Sequence, residues 1–264
     1  MMPLIFDITR SSTVDGPGIR TTVFFKGCNL RCYWCHNPES QAPQPQLGLL
    51  MEKCVGCGVC GKVCTHPRQC ILCGACVANC PTGARKLYGR SYTADELHGI
   101  ILADRDYYLP TGGGVTFSGG ECMLYPEFIA DLAKKCADSG ISVAIDTAGN
   151  VPWEHFEKVL PYTELFLYDI KALDPSLHRA GTGVGNALIL KNLDELLRKN
   201  RRVIIRTPVI PGYNDGDELH KIRRYCGERG LPLELLTYHT IGETKRSALK
   251  AVSTNDRQKY TLTL

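Results

Sequence analysis

Cysteine spacing is the feature that most constrains this chain. Of its 14 cysteines, 11 fall between Cys28 and Cys80, and within each group they are separated by only two or three other residues. Crowding of this kind indicates either disulfides or bound metal. Because thiols stay reduced in the cytosol, the pattern in a cytosolic chain predicts metal ligation. Iron–sulfur clusters are the leading assignment, and zinc is the alternative.

The composition is that of a globular enzyme. The chain has 264 residues, 44% of them hydrophobic and 22% charged, which suits one large α/β domain with a small insert. The net charge is only +4 and the basic residues are scattered, which argues against nucleic acid as a partner. No apolar run reaches the roughly 18 residues of a membrane span, and no signal-peptide pattern is present. We therefore expect a cytoplasmic protein without membrane contact.

Apolar runs and helical stretches alternate along most of the chain. Buried parallel strands are expected at 21–27, 115–119, 142–147, 164–170, 202–209 and 231–238,. Helices are expected in TADELHGIILADRDYY, with a capping box at Thr93 and Glu96, and in PEFIADLAKKCADSG, NALILKNLDELLRKN and DELHKIRRYCGERG,. Six β/α units predict an α/β fold with a parallel sheet, either doubly wound or curled into a partial (β/α)6 TIM-like barrel. In both folds chemistry collects at the carboxyl ends of the strands, where SGGE, DTAG and DIK fall.

A segment rich in cysteine and glycine, residues 49–88, interrupts this alternation. It divides the chain into a discontinuous core, residues 1–48 and 89–264, and a small insert that we expect to fold around metal. The insert contains the ferredoxin spacing C-x2-C-x2-C-x3-C twice, and in two-cluster ferredoxins the fourth cysteine of each run ligates the other cluster. We therefore expect two [4Fe–4S] clusters, one on Cys54, Cys57, Cys60 and Cys80 and the other on Cys64, Cys70, Cys73 and Cys76. Only five residues separate Cys64 from Cys70, so the two clusters would be crowded.

The remaining cysteine group, Cys28, Cys32 and Cys35 in KGCNLRCYWCHNPES, is one thiolate short of a complete site. Three thiolates leave one iron of a [4Fe–4S] cube with an open coordination position. The C-x3-C-x2-C spacing resembles the motif of the radical S-adenosylmethionine (SAM) superfamily, in which SAM binds that iron through its amino and carboxylate groups. The resemblance implies that these three cysteines hold a catalytic cluster.

Further motifs resemble one branch of that superfamily, the glycyl-radical enzyme activating enzymes of the pyruvate formate-lyase-activase type. In chain order they are DGPGIRTTVFFKGCNLRCYWCHNPES, FSGGE (117–121), DTAG (146–149), YDIK (168–171), RTPVIPGYND (206–215) and YHTIGETK (238–245). One subgroup carries a two-cluster ferredoxin insert at this position and typically activates dehydratases, lyases and decarboxylases.

This resemblance implies a radical SAM partial barrel and an oxidoreductase. The enzyme would cleave SAM reductively to methionine and a 5′-deoxyadenosyl radical, which abstracts a hydrogen from a glycine of a partner glycyl-radical enzyme. Flavodoxin or ferredoxin is the implied electron donor, and the cluster chemistry implies an anaerobic cytosol.

The same resemblance assigns roles to residues outside the cysteines. Trp34 lies where the family places an aromatic side chain near the adenine, and Ser118, Gly119 and Gly120 lie where backbone meets the methionine amino group. Contacts to the rest of SAM are implied for Asp169, Lys171, Arg206 and His239, and a part in catalysis is implied for the last three. A monovalent-cation site is implied at Asp146, Thr147, Asp169 and the backbone of Leu167. Docking of the partner's glycyl loop is expected at Asp15, Gly16, Pro17, Gly18, Arg20, His36 and Asn37.

Two other functions stay open at this point. The insert could be the working part of an electron-transfer module, or SAM chemistry could act on a small molecule or peptide. Taken singly, Asp169 and Lys171 could simply pair with each other, Arg206 could form a structural salt bridge, and His239 could be an ordinary core or surface histidine. The three cysteines outside the motifs, Cys122, Cys136 and Cys226, are expected to be inert thiols, with Cys136 in the core of a helix.

Overall fold

A computed structural model of the chain describes residues 2–66 and 70–251. Residues 67–69 of the predicted insert, and residues 1 and 252–264 of the predicted core, lie outside the described residues. The strands are β1 (Leu4–Ser12), β2 (Arg20–Phe25), β3 (Gln46–Leu49), β4 (Arg85–Tyr88), β5 (Arg90–Ser91), β6 (Gly114–Gly119), β7 (Ser142–Thr147), β8 (Leu165–Asp169), β9 (Arg202–Val209) and β10 (Leu233–Thr237). The helices are α1 (Val59–Lys62), α2 (Ala75–Ala78), α3 (Ala94–Leu102), α4 (Arg105–Thr111), α5 (Pro126–Asp138), α6 (Trp153–Val159), α7 (Pro175–Thr182), α8 (Ala187–Arg198), α9 (Asp217–Glu228) and α10 (Ile241–Lys250).

The main sheet has eight strands in the order β10-β9-β8-β7-β6-β2-β1-β5. All six predicted strands are present, as β2 and β6 to β10, and each is parallel to its neighbours in this set. Their spatial order follows the chain without the reversal that defines a doubly wound sheet. The sheet therefore has the strand order of a partial barrel.

Strand β1 was not predicted from the sequence. It runs antiparallel to β2, with Ile5 opposite Phe25 and Ser12 opposite Arg20, and β5 pairs with its other edge. Two register shifts interrupt the β1–β2 ladder, and bulges of this kind break the two-residue alternation by which strands are recognised in sequence.

The predicted helix from Thr93 to Tyr108 is in fact two helices, α3 and α4. Its capping box is confirmed, because the Thr93 hydroxyl accepts from the backbone of Glu96 and the Glu96 side chain accepts from the backbone of Thr93. The break falls at Asp104, whose carboxylate accepts hydrogen bonds of 2.8 Å from Arg10 in β1 and Thr21 in β2. Helices α5, α8 and α9 lie where they were expected, whereas α6, α7 and α10 were not predicted. None of the described helices is both long enough and apolar enough to cross a lipid bilayer.

The two faces of the sheet have different neighbours. Side chains on the outer face, such as Val143, Ile145, Phe166 and Ile205, belong to one large core that also contains buried residues of α3, α5, α8 and α9. The inner face contributes only a small second cluster of Ala144, Leu165 and Leu167 with Ile204 against it. Because strand side chains alternate between faces, the residues two positions further on in β7, β8 and β9 point to the same inner face.

The insert begins at the end of β3 and ends with β4. These two strands form an antiparallel sheet, with Gln46 opposite Tyr88 and Leu49 opposite Arg85. The two cysteine runs of the insert have similar backbones. Each has a one-turn helix, α1 or α2, that begins after a glycine in the left-handed region, Gly58 (φ 70°) or Gly74 (φ 77°). The residue two positions before each of these glycines also has a left-handed backbone, namely Gly56 (φ 68°) and Leu72 (φ 57°).

Candidate active site

The three-cysteine motif lies in a loop that follows β2, residues 26–41, which we call the cluster loop. Backbone hydrogen bonds from Gly27 to Ser40 (2.7 Å) and from Cys28 to Gln41 (3.2 Å) join its two ends. The fully buried ammonium of Lys26 donates to the carbonyl of Glu39 and to the side chain of Gln46 in β3. The loop is therefore held closed by its own backbone and by a lysine that the sequence motifs did not single out.

All three cysteines of the cluster loop line one cavity of about 260 Å³ at the carboxyl ends of the parallel strands. Three residues expected to dock the partner, Asp15, His36 and Asn37, also line it. Four others from that set, Gly16, Pro17, Gly18 and Arg20, do not, and neither does His239. The remaining predicted SAM-side residues all line the cavity, namely Trp34, Ser118, Gly119, Gly120, Asp146, Thr147, Asp169, Lys171 and Arg206.

Strand register explains why polar side chains from different strands meet here. Arg206 in β9 lies directly opposite Asp169 in β8 and Glu234 in β10. Asp146 is two residues beyond Ala144, and Arg206 is two residues beyond Ile204, so both continue the inner face of the sheet,. In β7, β8 and β9 the inner face thus changes from the apolar residues Ala144, Leu167 and Ile204 to polar residues further along each strand.

Two buried cations and two carboxylates form the polar wall of the cavity. Lys171 Nζ lies 2.5 Å from Asp169 Oδ2, so the ion pair considered as a structural alternative does form. Arg206 lies between two acids, 3.6 Å from Asp146 and 3.5 Å from Glu234. Although burial lowers it, the neighbouring Asp169 carboxylate raises the pKa of Lys171 above its ordinary value. Burial raises the pKa of Asp146, although Arg206 acts in the opposite direction. The wall therefore presents two permanent cations to the cavity.

The glycines of SGGE are required by packing against the cluster loop. A Cβ on Gly119 (φ 118°) would lie 2.3 Å from the backbone of Phe25, and one on Gly120 would lie 2.2 Å from the carbonyl oxygen of Gly27. Real Cβ atoms do not approach backbone this closely. The family resemblance implied a ligand-contact role for these glycines, and their packing against the cluster loop is a second requirement for glycine here.

Glu121, which follows the two glycines, is a buried residue that the sequence analysis did not assign to the site. Its carboxylate accepts hydrogen bonds from the Thr147 hydroxyl (2.7 Å) and the backbone N–H groups of Met123 (3.1 Å) and Ala148 (3.0 Å). Burial raises its pKa to about 7, against the lowering effect of these three donors. Glu121 thus ties the loop after β6 to the loop after β7. Two sequence signals could have revealed it: its place soon after a buried strand and its position as the last residue of the FSGGE motif.

The cysteine side chains have the chemistry that an iron–sulfur cluster needs. Burial raises the pKa of Cys28 to about 12 and that of Cys32 to about 11, so without a metal these thiols are neutral. Metal coordination deprotonates a thiol outright, and the nearby Lys171 cation favours the thiolate of Cys32. Three thiols on one wall and paired cations on another therefore fit a cluster together with an ionic small ligand.

His239 lies at the rim, where its ring stacks on that of His36 with centroids 3.9 Å apart. Helix α10 follows it and packs against the cluster loop: a Cβ on Gly242 would lie 2.2 Å from the carbonyl oxygen of Cys35. Lys245 donates to Asn37 (2.7 Å) and lies 2.8 Å from Glu39. The YHTIGETK motif therefore supports the cluster loop from outside the cavity.

The DGPGIR motif forms the β1–β2 connection at the opposite end of the strands. Asp15 accepts hydrogen bonds from the hydroxyls of Ser12 (2.6 Å) and Thr22 (2.8 Å). Arg20 was expected to face a partner protein, but it is only 1% exposed and donates to the Thr116 hydroxyl and to the carbonyl groups of Pro17, Val115 and Ser142. Its side chain therefore holds this loop against β6 and β7, and the guanidinium itself is not exposed to a partner.

The other cysteines fall into two sets. Cys122, Cys136 and Cys226 are buried, and burial raises the pKa of each thiol; Cys136 lies in the core of α5, as expected. In the insert, one small cavity is lined by Cys64, Cys70, Cys73 and Cys76. Cys60 accepts a hydrogen bond of 3.4 Å from Arg85 in β4. Cys54, Cys57 and Cys80 do not line the insert cavity.

Comparison with known proteins defines the class to which this fold and site belong. The model of the Radical SAM superfamily matches residues 22–226, so the chain is a member of that superfamily. A solved structure of Streptococcus suis SuiB bound to precursor peptide SuiA is similar in fold alone, with a TM-score of 0.56 at 14% identity. That similarity covers 88% of this chain and 44% of SuiB.

Relatives with known functions show to which branch of this superfamily the chain belongs. The chain is 40% identical to the (2S)-3-sulfopropanediol dehydratase activating enzyme of Klebsiella oxytoca, over 93% of this chain and 85% of the relative. It is 39% identical to the indoleacetate decarboxylase activating enzyme of Tractidigestivibacter scatoligenes, over 93% and 86%. The chain belongs to the radical SAM activating enzymes of glycyl-radical enzymes.

Proposed function

We propose that this enzyme installs a radical on a glycine of a partner glycyl-radical enzyme, using SAM bound beside a [4Fe–4S] cluster. One observation carries the proposal: a single cavity is lined at one end by Cys28, Cys32 and Cys35 and elsewhere by Asp15 of the DGPGIR loop. The cysteines that would hold the cluster and the segment assigned to the partner's glycyl loop therefore border the same cavity.

The residues of the cavity have distinct roles in this proposal. Cys28, Cys32 and Cys35 would hold the cluster, and the buried cations Lys171 and Arg206 would face the carboxylate of SAM. When bound, the cluster and SAM supply one-electron cleavage of the sulfonium and hydrogen abstraction from the glycine Cα. The chain itself binds and orients, and no side chain needs to transfer a proton.

An apolar wall beside the cysteines would exclude water. Trp34 is 6% exposed and packs against Tyr213 with ring centroids 4.5 Å apart. Leu30, 1% exposed, lines the cavity between the cysteines. Exclusion of water protects a reactive intermediate from side reactions, so these side chains support a role in radical chemistry as well as in adenine binding.

We propose that the insert holds two further [4Fe–4S] clusters with crossed ligation. Cys64 shares one cavity with Cys70, Cys73 and Cys76, which supports the pairing of the second run with the fourth cysteine of the first. The repeated left-handed residues at Gly56 and Leu72 also support equivalent binding loops, because a leucine adopts this strained conformation only where its surroundings impose it,.

The similarity to dehydratase and decarboxylase activating enzymes supports a partner of that kind, acted on in the cytoplasm, where thiols stay reduced,. Flavodoxin or ferredoxin is the proposed electron donor. A monovalent cation at Asp146, Thr147, Asp169 and the carbonyl of Leu167 would be an additional component, beside carboxylates that already pair with Arg206 and Lys171.

Anaerobic reconstitution tests the cluster content and the activity together. We expect about 12 iron per chain for three [4Fe–4S] clusters, together with methionine and 5′-deoxyadenosine from SAM and a reductant. A glycyl-radical signal on a candidate partner glycyl-radical enzyme completes the test. About four iron would contradict the loaded insert. SAM cleavage without a glycyl radical would favour a small-molecule or peptide substrate, and no SAM cleavage would favour an electron-transfer module.

A further inference from the structure

A cleft of about 280 Å³ lies beside the cluster loop and shares no lining residue with the active-site cavity. It is lined by Pro38, Gln41 and Ala42 of that loop, by Gln46 of β3, by Leu249 of α10 and by three cations. The cations are Arg31, Arg246 and Lys250, and no acidic residue among residues 2–66 and 70–251 lines the cleft. We call it the cationic cleft.

The cations of this cleft are not neutralised within the part of the chain that the structure describes. The ion pairs nearby use other residues, since Glu39 pairs with Lys245 and Glu243 accepts from Tyr238. Arg31 and Lys250 are exposed. Three unpaired cations around one concave surface produce a positive potential that attracts acidic partners and raises their association rates.

The cleft lies directly against the residues that would hold the cluster. The Arg31 guanidinium donates to the carbonyl oxygens of Cys28 and Leu30, and Arg246 donates to that of Tyr33 at 3.0 Å. Ser40 lines the active-site cavity, whereas its neighbour Gln41 lines the cleft. The cluster loop therefore borders both the active-site cavity and the cationic cleft.

From this placement we infer that the cationic cleft is the docking site of an acidic electron-carrier protein. The inference rests on the proposed function, which needs one electron from an external donor at the cluster beside Cys28. The carrier would be oxidised by one electron and the cluster beside Cys28 reduced by one, with no bond made or broken. Complementary charge would orient the carrier so that its redox centre faces the cluster loop.

Lys250 is the residue to vary, because it is exposed and no hydrogen bond or ion pair holds it among the described residues. Flavodoxin hydroquinone serves as the acidic carrier, and photoreduced 5-deazariboflavin serves as a neutral small reductant that needs no docking site. The readout is the rate of 5′-deoxyadenosine formation from SAM by the reconstituted full chain without a partner enzyme. Lys199→Glu, an equal charge reversal at the end of α8, is the matched control.

At low ionic strength we expect the flavodoxin-driven rate to fall about threefold in Lys250→Gln and about tenfold in Lys250→Glu. The deazaflavin-driven rates and the Lys199→Glu rates should stay at the wild-type level. Added salt should reduce the flavodoxin-driven rate of the wild type, because it screens the attraction.

Equal losses with both reductants, equal losses in Lys199→Glu, or no loss with flavodoxin would each overturn the assignment. Failure of the proposed function gives a different result, since the wild type would then form no 5′-deoxyadenosine even with deazaflavin.

Discussion

Lys245 of α10 lies 2.8 Å from the carboxylate of Glu39, a residue of the cluster loop whose side chain is only 3% exposed. The same ammonium donates to the side chain of Asn37 at 2.7 Å. One lysine thus joins the last described helix of the chain to the loop that follows the three cysteines. Through this contact the YHTIGETK motif, although far from the cysteines in sequence, supports the loop that carries them.

Replacement of that lysine should loosen the cluster loop. In Lys245→Met, Glu39 stays buried without its cation, so we expect the free energy of unfolding to fall by about 1–3 kcal/mol. Iron should also be lost faster from the reconstituted protein. Thermal unfolding and iron release under argon measure the two effects. Lys250→Met, on the same helix, should change neither quantity, and equal behaviour of the two variants would contradict the role given to Lys245.

A second prediction concerns the close approach of Gly120 to the cluster loop. In Gly120→Ala the new methyl group would meet the carbonyl oxygens of Gly27 (2.2 Å) and Ser40 (2.9 Å), so the strand end and the loop must separate. We expect a loss of stability of about 1–3 kcal/mol together with weaker SAM binding, measured by thermal unfolding and by equilibrium dialysis.

The control for that substitution is Gly99→Ala in the middle of α3. A Cβ at Gly99 meets no atom within 4 Å, and alanine is the better helix former, so this variant should be more stable by roughly 0.5–1 kcal/mol. A Gly120→Ala protein as stable as Gly99→Ala would show that the approach between the loops is not tight.

Much of the barrel and its polar wall could be predicted from the sequence, because both depend on local patterns. Short apolar runs marked the six parallel strands. The DTAG and DIK motifs fall at strand ends, whereas Arg206, inside β9, was singled out by the family resemblance. Strand alternation and register then bring these side chains together without further information,.

What could not be predicted depends on contacts between distant segments. Two examples are the contacts of Lys26 with Gln46 and of Glu39 with Lys245. Three of these residues lie inside sequence motifs, but no motif indicates which residue each one contacts. The position of His239 at the rim likewise depends on how α10 packs. Arg20 is an example of the same limit: its motif suggested a docking role, whereas its burial depends on β6 and β7.

Glu121 predicts a dependence of stability on pH. Burial raises its pKa to about 7 in the folded protein, above the ordinary value of about 4.3 expected in the unfolded chain. The folded state therefore binds the proton more tightly. The stabilisation is complete below the unfolded pKa and is lost as the pH rises through the folded one.

In Glu121→Gln this dependence should disappear, because the amide does not titrate. We expect the stability advantage of the wild type over the variant to be larger at pH 5 than at pH 8, by about 2–3 kcal/mol. Thermal unfolding of both reconstituted proteins, followed by circular dichroism across this range, gives the difference directly. A difference that is constant with pH would mean that Glu121 has an ordinary pKa.

The last prediction separates the iron of the insert from the chemistry of the core. Cys73 lines the insert cavity with Cys64, Cys70 and Cys76, whereas Cys32 lines the active-site cavity. Cys73→Ala should therefore lower the iron content from about 12 to about 8 per chain, because one cluster is lost. Its deazaflavin-driven cleavage of SAM should stay close to the wild-type rate.

Cys32→Ala is the matched variant, since it also removes one thiolate but from the loop that would hold the catalytic cluster. It should lose a similar amount of iron and all SAM cleavage. Iron analysis and 5′-deoxyadenosine formation on the same samples make the comparison. If Cys73→Ala also abolished SAM cleavage with the small reductant, the two cavities would not be independent sites, and the insert would be required for the chemistry of the core.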